Sequence, residues 1–122
     1  MDFEKLTSKS KELIQDVINL AAKEKHQYIS PEHLLKVLLE DKQIDELIRK
    51  AGGSPERIRS ETDAELAKIP AVSGQSVQSM MSQDFTRVMM EAENIADKAN
   101  DKYVTLERIL QALSVTSGTK AY

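Results

Sequence analysis

The sequence predicts an all-α fold: one compact helical domain made of two pseudo-symmetric repeats. The main observation is an internal duplication, because a shift of 75 positions places residues 6–40 on residues 81–115. The identical pairs include Ala21/Ala96, Tyr28/Tyr103, Glu32/Glu107, Leu35/Leu110 and Leu38/Leu113. Helical spacing of apolar residues and duplicated helix-start signals support the same conclusion. A repeated helical unit is more typical of a binding domain than of an enzyme with one active site.

Length and composition fit a single soluble domain. The chain has 122 residues, of which 40% are hydrophobic and 30% are charged, with a net charge of −3. Tryptophan and cysteine are absent, so the core is expected to be aliphatic and rich in methionine. No apolar run reaches the roughly 18 residues of a membrane span, and the N-terminus lacks a secretory pattern. We therefore expect a cytoplasmic protein with no membrane partner and, without a basic face, no nucleic-acid partner.

The first helix of repeat one is expected to begin after Thr7, as N-cap, and to run to about Lys25. Its apolar residues recur at the spacing of one buried helix face: Leu13, Val17, Leu20 and Ala21. A short loop, 26–29, leads to the next helix.

The second helix has a strong start signal in Ser30, Pro31 and Glu32. A serine suits the N-cap, proline suits the first helical position, and an acid favours the positive end of the helix dipole. Ile29 and Leu34 have the spacing of a hydrophobic staple. Repeat two duplicates this arrangement, with Thr105 as cap, Glu107 in the first turn, and Val104 and Ile109 as staple.

The remaining elements complete the predicted organisation. A short helix over 44–51 should stop at Gly52 and Gly53, and another should run from Ser54 to about Lys68. Residues 71–79 are typical of an exposed linker, and further helices are predicted over 83–99 and 106–115. The single domain, 1–122, then divides into repeat one at about 6–68, a linker at about 69–81 and repeat two at about 82–122. The equivalent of 44–51 would be 119–126, so we expect the sequence to be a fragment of a longer protein.

The sequence contains few candidates for catalysis. His26 and His33 match no metal-ligand spacing, and we expect the first to be solvated and the second half-buried. No nucleophile elbow and no phosphate-binding glycine loop is present. The fragment is therefore predicted to be neither an enzyme nor a cofactor or metal protein.

Three features are candidates for binding. Four methionines lie within eleven positions, and this flexible side chain suits surfaces that accept varied apolar partners: Met80, Met81, Met89 and Met90. The alternative is that they fill the core between the repeats. Asp101 and Glu107 flank the Tyr103 loop, with helix capping as their alternative role. Thr7 is either a plain N-cap or part of the same binding surface.

The duplicated pattern resembles the N-terminal domain of Clp-type AAA+ chaperones. The resemblance covers LTSKSKELIQDVINLAAKEKHQYISPEHLLKVLLE, LAKIPAVSG and SQDFTRVMMEAENIADKANDKYVTLERILQAL. The most specific motif is PEHLL (31–35), which has a degenerate second copy in LERIL (106–110). The segments LAKIPAVSG and DKYVTLE indicate the disaggregase branch, ClpB, over the protease-linked ClpA and ClpC.

The resemblance implies a mobile module tethered to an ATP-driven homohexameric unfoldase, in which ATP and Mg²⁺ belong to modules outside this fragment. It implies binding of unfolded or aggregated polypeptides together with a co-chaperone system, with docking of an adaptor protein as the alternative. The polar substrate-binding positions of the family fall on Thr7, Asp101 and Glu107. Its apolar groove falls around Met89 and Met90. Glu91 and Arg108 occupy groove positions that are commonly apolar in relatives.

Overall fold

The computed structural model of the chain describes residues 3–72 and 79–116. The all-α prediction is confirmed, with two very short strands added to the helices. After a 3-10 turn at Phe3–Lys5, the elements are α1 (Ser8–Lys23), β1 (Tyr28–Ile29), α2 (Pro31–Leu38), α3 (Lys42–Lys50), α4 (Pro55–Ala67), β2 (Met80–Met81), α5 (Gln83–Lys98) and α6 (Leu106–Val115). Within the described ranges, no helix combines the length and apolarity needed to cross a bilayer.

The helix starts follow the predicted capping chemistry. Thr7 accepts a hydrogen bond from the Ser10 N–H at 3.1 Å, and Thr105 accepts one from the Arg108 N–H at 3.4 Å. Each oxygen satisfies a backbone donor that the helix leaves without an internal partner. Both predicted threonine caps are therefore confirmed.

The first helices of the two repeats end in the same way. Lys25 and Asn100, which are equivalent under the shift of 75, both have a left-handed backbone, with φ of 57° and 59°. After this turn, the next backbone N–H donates a hydrogen bond to a carbonyl oxygen in the last turns of the helix. The His26 N–H donates to Ala21 O at 2.9 Å, and the Asp101 N–H donates to Ala96 O at 2.8 Å. The α1 helix therefore ends at Lys23, two residues before the predicted boundary.

The two repeats exchange short extended segments. β1 and β2 run parallel, with Tyr28 opposite Met80 and Ile29 opposite Met81. The shift of 75 maps the second pair onto Val104 and Leu6, which form the one other parallel bridge in the described residues. Each repeat thus pairs the segment before its first helix with the loop of the other repeat. The predicted linker ends in β2, while its residues 73–78 lie outside the described residues.

The core is aliphatic, as the composition predicts, and Phe85 is the one aromatic side chain buried in it among the described residues. The prediction that it is rich in methionine is wrong, because Met89 is the one described methionine that is buried, whereas Met80, Met81 and Met90 are exposed. The helices α1, α2, α5 and α6 supply most of the core, and α4 packs against α2. Phe85 is equivalent to Ser10, and both are fully buried. The Ser10 hydroxyl donates to Val104 O at 2.9 Å, so one repeat buries an aromatic ring where the other buries a hydrogen bond.

The prediction for the histidines is wrong. His26 is only 5% exposed and His33 is fully buried, and Nδ1 of His26 lies 2.7 Å from Nε2 of His33. The left-handed turn at Lys25 is the reason, because it directs the chain back over the end of α1 and carries His26 inward. The pKa of His33 is lowered to about 4, first by burial and then by the neighbouring His26 ring, while the Ser30 backbone contact acts in the opposite sense.

Candidate functional site

Three of the predicted site residues meet around Val104. The Thr7 N–H donates to Val104 O at 3.2 Å, so the start of α1 lies against the loop between α5 and α6. Asp101 and Glu107 stand three residues before and three residues after Val104 in that loop and the first turn of α6. The repeats therefore bring Thr7, Asp101 and Glu107, distant in sequence, to one end of the α5–α6 hairpin.

Asp101 already has a partner within the domain. Its Oδ2 accepts a hydrogen bond from Nε of Arg108 at 2.7 Å, and Arg108 also donates from Nη1 to Gln111 Oε1 at 2.8 Å. Both members of the ion pair are partly exposed, so water screens their attraction. A ligand that uses the Asp101 carboxylate must share it with Arg108 or displace that side chain.

Met89 and Met90 are adjacent on α5 but lie in different environments, one in the core and the other at the surface. Met89 is fully buried in the core, whereas Met90 is 54% exposed. Successive residues of an α-helix point about 100° apart, so only one of the two can face the solvent here. Met90 is therefore available to a ligand, and the predicted role of Met89 is reduced to support from beneath.

A shallow groove of about 480 Å³ lies at the other end of the α5–α6 hairpin. It is lined by Arg87, Met90, Glu91, Asn94, Val115 and Thr116. On α6, Arg108, Gln111 and Val115 are spaced three and then four residues apart and therefore lie on one face of the helix. This face connects the groove to the Asp101 end of the hairpin. We call this continuous face, from Asp101 to Met90 and Val115, the α5–α6 seam.

The seam combines an apolar end with a charged end. Val115 is 54% exposed, like Met90, and together they form the apolar end. Charged side chains also stand along the seam, because Glu91 lines the groove and Arg108 pairs with Asp101 at the other end. The sequence analysis did not identify Val115 or Asn94, although their helical spacing from Arg108 and from Met90 would have indicated both.

A second cleft, of about 390 Å³, lies between α2, α3, α4 and α6. Leu35 and Leu110, an identical pair of the duplication, both line it, and Glu32, Glu61 and Glu65 stand at its edge. None of the predicted site residues lies in this cleft. Elsewhere, Met80 is 62% exposed on β2, where Tyr28 of β1 is its neighbour.

The described residues contain no group of three or more histidine, aspartate or glutamate side chains that could hold a metal ion. Within those same residues, every buried side-chain nitrogen and oxygen has a hydrogen-bond partner.

Comparison with known proteins gives a consistent result. The family model of the Clp repeat (R) N-terminal domain matches residues 5–121. The chain is 41% identical over 119 residues to the chaperone protein ClpB of Agrobacterium fabrum, and equally so to that of Rhizobium meliloti. In both cases the match covers 96% of this chain and 14% of the relative.

Solved structures show the same fold. The Hsp104 N-terminal domain of Candida albicans superposes with a TM-score of 0.81 at 21% identity, covering 88% of this chain and 72% of the other. A ClpV N-domain in complex with a VipB peptide superposes with a TM-score of 0.74 at 19% identity, covering 92% and 69%.

Proposed function

This chain belongs to the Clp repeat N-terminal domain family, and we propose that it is the substrate-recognition domain of an ATP-dependent protein disaggregase. The ClpB relatives support the disaggregase branch, and the ClpV N-domain solved with a peptide supports polypeptide as the ligand. Because the chain spans only 14% of those relatives, the activity of the whole protein is part of the proposal.

The α5–α6 seam is the surface that supports this function best. The observation behind it is the pairing of exposed Met90 and Val115 at one end with Asp101, Glu107 and Thr7 at the other. An extended chain along this face would bury apolar side chains at the first end and place polar or basic groups at the second. Flexible methionine suits varied apolar side chains, as recognition of many unfolded substrates requires.

The interaction should be weak. The seam is shallow, and a disordered ligand loses conformational entropy when it becomes ordered on a small surface. We expect dissociation constants in the micromolar range or above, with avidity from several tethered domains in one assembly. Glu91 and Arg108 should make segments of mixed apolar and charged character better ligands than purely apolar ones.

In the whole protein, we propose, the domain acts in the cytoplasm, beside AAA+ modules that bind ATP and Mg²⁺ in a homohexamer, and together with a co-chaperone system. It delivers unfolded or aggregated polypeptide to that ring. The fragment itself has no catalytic role in this proposal.

Docking of an adaptor protein is the second candidate. The charged residues of the seam favour it, since fixed charges at Arg87, Glu91 and Arg108 suit one complementary partner better than many different chains. The two functions differ in their ligands, because a recognition domain binds many unfolded chains weakly and a docking domain binds one folded protein tightly.

An amide NMR titration with a reduced, permanently unfolded model polypeptide tests the proposal. We expect shifts along the seam, around Thr7, Met90 and Asp101, and a binding affinity that Met90→Asp lowers about tenfold, or about 1.4 kcal/mol. Met80→Asp is the matched control, because Met80 is equally exposed but lies outside the seam. Equal effects of the two substitutions, or shifts confined to the β1–β2 face, would contradict the seam as the site.

A second prediction separates ligand binding from loop support at Asp101. If the carboxylate contacts the ligand, Asp101→Ala should weaken binding several-fold, whereas Arg108→Ala should strengthen binding of lysine-rich segments by removing the competing cation. Because the ion pair is partly exposed, each substitution should cost at most about 1 kcal/mol of stability. Glu107→Ala, which leaves this pair intact, should weaken binding and cost less than about 1 kcal/mol of stability, the size of the interaction between its carboxylate and the helix dipole. Isothermal titration and urea unfolding of the three variants provide both readouts. Weaker binding in both Asp101→Ala and Arg108→Ala would instead assign the pair a purely structural role.

A further inference from the structure

The two repeats stabilise equivalent loops with different chemistry. His26 and His33 of repeat one are equivalent to Asp101 and Arg108 of repeat two under the shift of 75. Each pair joins the residue after the left-handed turn to the third residue of the following helix, and each contact measures 2.7 Å. One repeat therefore uses a buried pair of imidazole rings where the other uses a partly exposed ion pair.

The surrounding backbone fixes where the protons of the histidine pair (His26 and His33) must be. The backbone N–H of Ser30 donates to Nδ1 of His33 at 3.0 Å, so this nitrogen is an acceptor and carries no proton. A neutral His33 then carries its proton on Nε2 and donates it to Nδ1 of His26 at 2.7 Å. The Ser30 hydroxyl lies 2.8 Å from the same His33 Nδ1 and can donate to it as well.

An additional proton cannot enter this arrangement without breaking it. A proton on Nδ1 of His33 would face the Ser30 N–H, donor against donor, and would leave the Ser30 hydroxyl oxygen as its acceptor. A proton on Nδ1 of His26 would face the Nε2 proton of His33 in the same way. Either event removes a hydrogen bond between the loop and the start of α2 and leaves a charge in a buried site.

None of the ion pairs that follow includes either histidine. On the elements packed around α2 they join other charged side chains: Lys9 of α1 with Asp41, Lys36 of α2 with Asp63 of α4, Lys68 with Glu65 at the end of α4, Arg87 with Asp84 in α5, and Arg108 of α6 with Asp101. On α2 itself, Glu32 is part of the edge of the second cleft, and Glu24 and Lys25 beside His26 are exposed.

The loop held by the histidine pair also receives the strand exchange. The Ser79 hydroxyl donates to His26 O at 2.7 Å, and the Ser82 N–H donates to Ile29 O at 3.0 Å. Loss of the histidine hydrogen bonds would therefore loosen one of the two strand pairings between the repeats. The equivalent contact, from the Thr7 N–H to Val104 O, lies beside the Asp101–Arg108 pair, which contains no histidine.

We infer that the histidine pair is an acid-sensitive switch that releases the β1–β2 junction of repeat one while the equivalent junction of repeat two stays closed. This inference is independent of the proposed function. The lowered pKa of His33 agrees with it in sign: above about pH 6.5 both folded and unfolded His33 are neutral, whereas below it the unfolded state binds a proton that the folded state refuses down to about pH 4. Stability is therefore lost as the pH falls through this window.

Amide hydrogen exchange of the chain at pH 7 and pH 5, corrected for intrinsic rates, tests the inference. We expect protection of the Ser82 amide to fall about 20-fold, the ratio given by a pKa change from 6.5 to about 4. The Thr7 amide, its equivalent in the other junction, is the internal control and should lose much less. Equal losses at Ser82 and Thr7, or none at Ser82, would overturn the inference.

The matched variant is His33→Gln, whose amide can replace both ring contacts but does not titrate in this range. We expect the difference between pH 7 and pH 5 at Ser82 to disappear in this variant, and its persistence would contradict the switch. A readout on the unmodified chain is independent of whether the variant folds: long-range ¹H–¹⁵N spectra should show His33 neutral at pH 5, with Nδ1 unprotonated. A His33 ring that is charged at pH 5 in the folded protein would equally overturn the inference.

Discussion

Phe85→Ala should destabilise the domain by about 3–5 kcal/mol, the largest effect we expect from any single substitution considered. Phe85 is fully buried in the first turn of α5, and truncation removes an aromatic ring from a core that is otherwise aliphatic. Single domains have about 5–15 kcal/mol of stability in total, so the loss should move the urea midpoint far toward zero denaturant.

The control for this prediction is Phe3→Ala. Phe3 is 45% exposed in the 3-10 turn before α1, so the same chemical change should alter the free energy of unfolding by less than about 1 kcal/mol. Comparable losses in the two variants would show that Phe85 does not occupy the core as described. Ser10→Phe is not the converse experiment, because the buried Ser10 hydroxyl is hydrogen-bonded to Val104 O.

Met89→Ala should cost about 2–5 kcal/mol of unfolding free energy, whereas Met90→Ala should change it by less than about 0.5 kcal/mol. The two residues are neighbours on α5, but Met89 is fully buried and Met90 is exposed. This pair is a sensitive test of how α5 is oriented, because rotation of the helix by one residue would exchange the two effects. Urea unfolding followed by circular dichroism measures both.

The effects of the two methionine substitutions on ligand binding should have the opposite order to their effects on stability. Under conditions where both variants are folded, Met90→Ala should weaken binding of an unfolded polypeptide several-fold, and Met89→Ala should leave it close to the wild-type value. A Met89→Ala variant that is stable but fails to bind would indicate that the core opens to admit ligand, and would return Met89 to the site.

Much of the fold could be predicted because the signals are local and occur twice. The caps at Thr7 and Thr105 and the glycine stop after α3 depend on residues within one helical turn of each other. Periodicity identified the buried faces of α1 and α5, with Val17 and Val88 among the residues confirmed in the core. Thr7, Asp101 and Glu107 were candidates from the residues alone, and the family resemblance favoured binding over capping; their role as ligand contacts stays a prediction.

What the sequence by itself determined, then, is the helices, their duplication and the membership of the family. Only the tertiary structure decided the exchange of β1 and β2, the burial of His26 against His33, the pairing of Arg108 with Asp101, and the placement of Met89 inside and Met90 outside. The physical reason is the separation in sequence between the residues that interact. A cap or an apolar stripe depends on residues three or four positions apart, whereas a two-residue strand has no periodicity and acquires its partner only when the other repeat folds against it.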